Sequence, residues 1–206
     1  MKIKLYKFVI FLFIVAVALL FVYKRDFVDR QYDKLCSLYY VYKGDKAYSK
    51  FKLQNAIDNY ERALKLYPRH YTAWFNLGNI FVVYEDYFSA IDAYQQAFTY
   101  NPKMVTARMN YGIIASEKLG DFDGAIEQYK EVIKTKRHLV SIPFIYSNKK
   151  SYKTNKGIAY YNMGLAYRQK SLYVGDDEIL YREYLKLAVE NYKNAAKRLK
   201  KDYGCQ

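Results

Sequence analysis

The chain has 206 residues, of which 52% are apolar, so it can bury the core of one domain and carry an appendage. Its three prolines and nine glycines are too few for the many turns of a β-sandwich, which favours long helices. Part of the formal net charge of +14 flanks an N-terminal apolar run, and the remainder is not concentrated enough to indicate nucleic-acid binding.

Residues 8–23 form an apolar run without a charged side chain. As a helix the run covers about 24 Å, and with adjoining residues it approaches the ~30 Å hydrocarbon core of a bilayer. We therefore predict a basic N-terminal tail at 1–7, a transmembrane signal-anchor at 8–23 and a juxtamembrane segment at 24–36. Because the chain has one such run, we expect a single-pass inner (cytoplasmic) membrane protein. A short basic tail tends to stay in the cytoplasm, which sets the orientation. Its N-terminus is expected in the cytoplasm and the remainder in the periplasm or another extracytoplasmic compartment.

Other interpretations of the run stay open. Ala16, Val17 and Ala18 have the small-x-small form of a signal-peptide cleavage site, although a cut there leaves an apolar mature N-terminus. A buried helix of the folded domain is a third interpretation. The basic residues Lys24 and Arg25, which follow the run, weaken the bias that sets its orientation.

A period of 34 residues runs through the middle of the chain, which is the length of one helix–turn–helix unit. A glycine recurs in the first half of each unit, and an alanine, a tyrosine, a second alanine and a proline recur in the second half. These positions are Gly44, Gly78 and Gly112; Ala56, Tyr60, Ala63 and Pro68; and Ala90, Tyr94, Ala97 and Pro102. The glycine is expected where two helices cross closely, and the proline ends the second helix.

The stretch 73–102 resembles a tetratricopeptide repeat. It has the signature residues Trp74, Leu77, Gly78, Phe81, Ala90, Tyr94, Ala97 and Pro102. A fourth unit is degenerate, because Gly164 and Ala188 are 24 residues apart where intact units need 12, and the extra residues around 171–184 lengthen either the turn or the helices. The resemblance implies an all-α, right-handed superhelical solenoid, preceded by the transmembrane helix. Its three clear repeats occupy 37–139, and the degenerate repeat with a capping helix occupies 157–206.

Residues 140–156 break the period and are predicted to form a basic connector loop. The loop is either a plain surface connection or an element that contacts a partner. Its lysines form a candidate basic patch: Lys149, Lys150, Lys153 and Lys156.

Residues at i, i+4 and i+7 of each first helix share a face. In the family these positions line a groove that holds a peptide or a helix. The corresponding residues are Val41, Asp45 and Tyr48; Phe75, Asn79 and Val82; Met109, Ile113 and Ser116; and Tyr161, Leu165 and Arg168. This mostly apolar set predicts an amphipathic helix or an apolar peptide as the partner. The alternative is that no partner binds these residues. In that case, the same apolar face packs on residues 26–36, on the C-terminal helix or on a second copy of the chain.

Signals for chemistry are not found in the sequence. No phosphate-binding glycine motif occurs, and His70 and His138 fall in connections, where we predict surface residues rather than metal ligands. Cys36 and Cys205 are predicted to be free thiols. Aspartates in inter-helix turns, such as Asp121, are expected to cap helices. We predict no catalytic, cofactor-binding or metal-binding residues, and a protein that is not an enzyme.

Three functions fit these features. The leading one is a membrane-anchored adaptor that recruits or assembles a partner in a cell-envelope complex, such as a secretion, pilus, flagellar or cell-wall machine. The second is a basic domain that holds to anionic lipid or to an acidic wall polymer. The third is a structural component that self-assembles into a homo-oligomeric ring or sleeve.

Overall fold

The computed structural model describes residues 2–135 and 149–203, with side chains for 12–17, 19–135 and 155–200. Every regular element in these residues is an α-helix, which confirms the all-α prediction for this part of the chain. The helices are α1 (Lys2–Tyr48), α2 (Leu53–Leu66), α3 (Tyr71–Val83), α4 (Tyr87–Tyr100), α5 (Val105–Glu117), α6 (Phe122–Lys134), α7 (Lys149–Ser171) and α8 (Glu178–Tyr203).

The chain divides into two compact units, Met1–Ala73 and Trp74–Gln206. In the first unit, α1 packs against α2. The helix α1 continues without a break through the predicted span 8–23, the predicted juxtamembrane segment 24–36 and the first helix of the first repeat. The side chains of residues 8–11 lie outside the described part of the structure. Among the described residues, no helix has an apolar stretch that is long enough to cross a membrane.

The recurring glycines lie where two helices cross closely, as predicted, and the structure adds that each contacts a tyrosine ring. A Cβ atom placed on any of the four glycines would come within 2.5–2.8 Å of a ring carbon of the second helix of the same repeat. The pairs are Gly44 and Tyr60, Gly78 and Tyr94, Gly112 and Tyr129, and Gly164 and Tyr192. Each glycine therefore admits a ring where any side chain would force the two helices apart.

Alanines complete the core of the second unit. Successive helices from α4 to α8 pack on one another. Seven alanines are fully buried where the helices meet: Ala90, Ala97, Ala107, Ala115, Ala125, Ala159 and Ala166. Small side chains at these positions let the helices approach closely while the tyrosine rings fill the remaining volume.

Two inter-helix turns are closed by aspartate caps. Asp86 accepts a hydrogen bond from the Ser89 backbone N–H at 3.1 Å, and Asp121 accepts one from the Gly124 N–H at 2.9 Å. Both carboxylates satisfy an amide that has no partner within the first turn of a helix. This confirms the capping role predicted for turn aspartates.

The fourth unit differs from the others mainly by longer helices. The helix α8 begins ten residues before Ala188, whereas α4 begins three residues before Ala90. The turn between α7 and α8, at 172–177, is also longer than the turn at 84–86. Most of the extra residues therefore extend α8, and the remainder lengthen the turn and the end of α7.

Two sequence predictions are corrected. The connector loop was predicted to reach residue 156, but α7 begins at Lys149 because no proline or glycine from 149 to 156 stops the helix; residues 140–148 of the predicted loop lie outside the described part. The histidine His70 was predicted to be a surface residue but is only 9% exposed. It packs edge-on to the Tyr67 ring, with its Nδ1 2.7 Å from the Thr72 hydroxyl. His138 lies outside the described residues.

Candidate functional site

The predicted groove residues differ in how much surface they offer. Three of them, Val41, Met109 and Ser116, are each only 8% exposed. Met109 belongs to the apolar core around Tyr129, and the Ser116 hydroxyl donates to the Gly112 carbonyl at 2.8 Å. The i, i+4, i+7 spacing includes them although Val41 is on the side of α1 that packs on α2, and Met109 and Ser116 are on α5, which packs on both α4 and α6. Only a narrow strip of the predicted face therefore reaches solvent.

In the first unit, Asp45 and Tyr48 are exposed. The Tyr60 hydroxyl donates to the Asp45 carboxylate at 2.7 Å. Asp45 therefore fixes the ring that packs against Gly44, in addition to offering its carboxylate to solvent.

Asn79 has the corresponding role in the second unit. The Tyr94 hydroxyl donates to the Asn79 side-chain oxygen at 2.8 Å. The Asn110 amide, on the next first helix, donates to the Tyr94 hydroxyl at 3.3 Å and approaches the Asn79 oxygen at 3.5 Å. This network joins α3, α4 and α5, so the polar groups on this face are held in place before any ligand arrives.

The buried hydroxyl of Tyr129 occupies the same place in the following repeat. Its side chain is 1% exposed, and burial raises the pKa of Tyr129 to about 12, although hydrogen bonds with Ser116 and Asn162 act in the opposite direction. A tyrosine with a raised pKa in the folded state stabilises the fold below its ordinary pKa of 10, and this stability is lost as the pH rises towards 12.

We therefore expect the chain to lose stability between pH 10 and 12, and Tyr129→Phe to lose less over the same interval. Ionisation of this one hydroxyl should account for about 1 kcal/mol at pH 11. Urea unfolding at pH 8 and pH 11 measures the effect as the difference between the two chains, which removes the contribution of other titrating groups. If the free energy of unfolding falls equally in both chains, ionisation of the Tyr129 hydroxyl is not the cause of the loss.

The residues that remain at the surface form a candidate face in the second unit, made up of Phe75, Asn79, Ile113, Tyr161, Leu165 and Arg168. Two of its aromatic rings rest on the tyrosines that pack against the glycines. The centroids of Phe75 and Tyr94 are 5.8 Å apart, and those of Tyr161 and Tyr192 are 5.7 Å apart. Tyr161 is still 48% exposed. The face therefore presents apolar side chains whose inner edges are already fixed by packing. Val82, the remaining predicted residue on α3, is half-buried and packs on the core of Tyr94.

A cleft of about 1000 Å³ lies between the α5–α6 turn and the α7–α8 turn. The residues added in the fourth unit supply much of its lining, including Leu172, Tyr173, Leu180 and Tyr184. Lys170, at its edge, pairs with Asp123 and lies 4.9 Å from the centroid of the Tyr184 ring. Sequence reasoning missed this cleft, and its only signal was the departure of residues 171–184 from the period.

Of the predicted basic patch, the structure describes the side chain of Lys156. The Lys156 amine donates to the Ile133 carbonyl in the last turn of α6, where a cation is favoured by the helix dipole. The side chains of Lys149, Lys150 and Lys153 lie outside the described part of the structure. In the described residues, no cluster of histidine, cysteine, aspartate or glutamate has the arrangement of a metal site.

Comparison with known proteins supports the repeat family. The model described as "Tetratricopeptide repeat" matches residues 43–83 and 85–137. Tetratricopeptide repeats mediate protein–protein interactions. No curated protein matches the chain significantly.

Solved structures of helical-repeat proteins are similar to the chain. The crystal structure of MamA is 26% identical, with a TM-score of 0.51 over 78% of this chain and 81% of that one. The crystal structure of PilW, described as a widely conserved type IV pilus biogenesis factor, is 15% identical, with a TM-score of 0.45 over 82% of this chain and 79% of that one. That of YrrB, described as a TPR protein with an unusual peptide-binding site, is 19% identical, with a TM-score of 0.45 over 79% and 90%.

Proposed function

We propose that this chain, which carries tetratricopeptide repeats at 43–83 and 85–137, is a membrane-anchored scaffold that binds another protein of a cell-envelope complex. The candidate face takes an amphipathic helix or an apolar peptide of that partner. The observation that carries the proposal is that each first helix of the second unit keeps apolar surface on the predicted face, although Met109 and Ser116 of the same face are buried.

The chemistry of the face suits such a ligand. Phe75, Ile113 and Leu165 are half-buried, so a bound apolar side chain would remove their remaining surface from water. Because Tyr161 already packs on Tyr192, little conformational freedom is lost when it is covered. Arg168 is exposed at the end of the face and is available to an acidic or carbonyl group of the ligand.

We propose the membrane anchor from the apolar run at 8–23. Its described side chains are strongly exposed, with Phe13, Phe21 and Tyr23 at 64–72%. Water solvates such a surface poorly, whereas the hydrocarbon core of a bilayer accommodates it. The basic tail at 1–7 supports an orientation in which the repeats lie outside the cytoplasm. Confinement to one membrane raises the effective concentration of a co-anchored partner, so weak contacts suffice.

Such a scaffold would recruit or assemble its partner in a secretion, pilus, flagellar or cell-wall machine. Electrostatic binding to anionic lipid or to an acidic wall polymer is the alternative function. It rests on the predicted basic patch, in which the Lys156 amine donates to the Ile133 carbonyl and keeps its positive charge.

The double variant Tyr161→Glu with Arg168→Glu is expected to weaken partner binding by at least about tenfold, because aromatic and arginine side chains dominate interface energetics. Both side chains are exposed, so the fold should tolerate the changes. The measurement is the amount of partner that the full-length chain retains from a detergent extract of membranes.

A matched control replaces another exposed aromatic residue and another exposed arginine with glutamate, away from the face. Phe88 is 74% exposed on α4, and Arg182 is exposed on α8. Phe88→Glu with Arg182→Glu should retain the partner at the level of the unaltered chain. If both double variants retain the same proteins in the same amounts, the candidate face is not the binding site.

A further inference from the structure

The helix α1 has two unlike faces beyond the apolar run. One face packs on α2 through Ser37, Val41 and Gly44, which are all buried. The other is an outer seam of large apolar side chains, all of them 56–67% exposed. The seam consists of Val28, Tyr32, Leu35, Tyr39 and Tyr42. Val28 precedes Ser37 by nine residues, which is two and a half helical turns, so the seam lies on the side of α1 opposite α2.

The spacing of the seam is that of a coiled coil. Its residues follow one another at steps of four, three, four and three, so that Tyr32 and Tyr39 take the a positions and the other three take the d positions. Apolar side chains that recur every 3.5 residues are typical of two helices that wind around each other, and they serve no purpose on a single exposed helix.

We propose that the outer seam pairs with the outer seam of a second copy of this chain, as a parallel, in-register, two-stranded coiled coil. The repeats of both copies would then be carried side by side by one stalk. The pairing is isologous, since each seam meets the same seam.

The area of the seam is sufficient for a specific dimer. A tyrosine carries about 150–250 Å² of surface, so Tyr32, Tyr39 and Tyr42 together expose roughly 350 Å². Val28 and Leu35 bring the seam to roughly 550 Å² per copy, or about 1,100 Å² for the pair, which reaches the ~1,000 Å² expected of a specific interface.

Charge favours the parallel arrangement. In the heptad that the seam defines, Lys24 takes a g position and Asp29 takes the following e position, and both are exposed. In a parallel pair, the lysine of one copy faces the aspartate of the other on both sides of the seam, which favours this register. Asp29 also lies 4.0 Å from Arg25 of its own helix, so its carboxylate is shared between the two cations. The parallel direction also rests on the proposed anchor, since two chains held in the same membrane by residues 8–23 start from the same side.

Cysteine cross-linking of the full-length chain tests the pairing. In a Cys36→Ser, Cys205→Ser background, Val28→Cys and Tyr42→Cys each place one thiol on the seam, and Arg30→Cys places one on the opposite side of α1. Mild oxidation with copper phenanthroline, on membranes and after solubilisation in detergent, is expected to convert most of the Val28→Cys and Tyr42→Cys chains to disulfide-linked dimers. The Arg30→Cys chain should remain monomeric. Adding Tyr32→Lys and Tyr39→Lys to the Val28→Cys chain should reduce its dimer at least fivefold.

Three outcomes would overturn the proposal. The first is dimer formation at Val28 and Tyr42 that is no faster than at Arg30. The second is a link that forms only between Val28→Cys and Tyr42→Cys chains when these are mixed, because an antiparallel pair brings these two positions together. The third is unchanged dimer after the two lysines are added. Fractionation of the same samples reports the anchor separately, so a soluble chain that cross-links refutes the anchor and leaves the dimer in place.

Discussion

Val15→Arg together with Leu19→Arg is expected to move the chain from the membrane fraction to the soluble fraction. Both residues lie near the middle of the apolar run 8–23, one helical turn apart. Each arginine at the centre of a membrane helix costs about 2.5–3.5 kcal/mol, so the pair opposes insertion by about 5–7 kcal/mol. That cost corresponds to more than a thousandfold change in partitioning. Carbonate extraction of membranes from cells that make the full-length chain measures the result.

The control adds the same two charges elsewhere. Phe88 and Ile179 are 74% and 83% exposed, and Phe88→Arg with Ile179→Arg should leave the chain in the membrane pellet. An unaltered chain that carbonate releases completely would refute the anchor.

Orientation is read from Cys205 in a Cys36→Ser chain, where a membrane-impermeant thiol reagent is expected to label spheroplasts without lysis. Labelling only after lysis would place the repeats in the cytoplasm.

Gly112→Val is expected to destabilise the second unit by about 3 kcal/mol, because extra volume has no room against a buried ring. A Cβ at Gly112 would already lie 2.6 Å from a ring carbon of Tyr129, and that ring is enclosed on all sides. Either the ring leaves its site or α5 moves away from α6. Urea unfolding of the full-length chain, solubilised in detergent and followed by far-UV circular dichroism, gives the change in the free energy of unfolding.

Thr106→Val introduces the same side chain on the same helix at an exposed position. Its effect should stay within about 0.5 kcal/mol, as is usual for surface substitutions. A loss at Gly112 no larger than the loss at Thr106 would show that the glycine–tyrosine contact does not limit the packing of these repeats.

The sequence predicted the parts of the fold that repeat. The step of 34 residues located Gly44, Gly78 and Gly112, and the structure places each one against the tyrosine of the paired helix. Gly164 of the degenerate unit does not follow that step but contacts Tyr192 in the same way. These contacts are local and recur, so one pattern describes all of them. The cap formed by Asp121 was predicted for the same reason, since it depends only on its own turn.

The candidate site was predicted less well, because exposure depends on neighbours that a period does not describe. Phe75 and Met109 hold equivalent positions, yet Met109 is buried by α6 and α7 whereas Phe75 keeps a free edge. The lengthening of α8 had no template in the other units, so the cleft around Tyr173 was not foreseen. The outer seam on α1 was present in the sequence as steps of three and four, but it became visible only when the structure continued α1 from Lys2 to Tyr48 as one helix.

Site-specific photocross-linking tests most directly whether the candidate face binds a protein. A benzophenone amino acid is placed at Tyr161 or at Phe88 in the full-length chain, and cells are irradiated before extraction. We expect a covalent adduct with another protein from position 161 and none from position 88, although Phe88 is the more exposed of the two. No adduct from position 161, or the same adducts from both positions, would contradict a scaffold that binds its partner through this face.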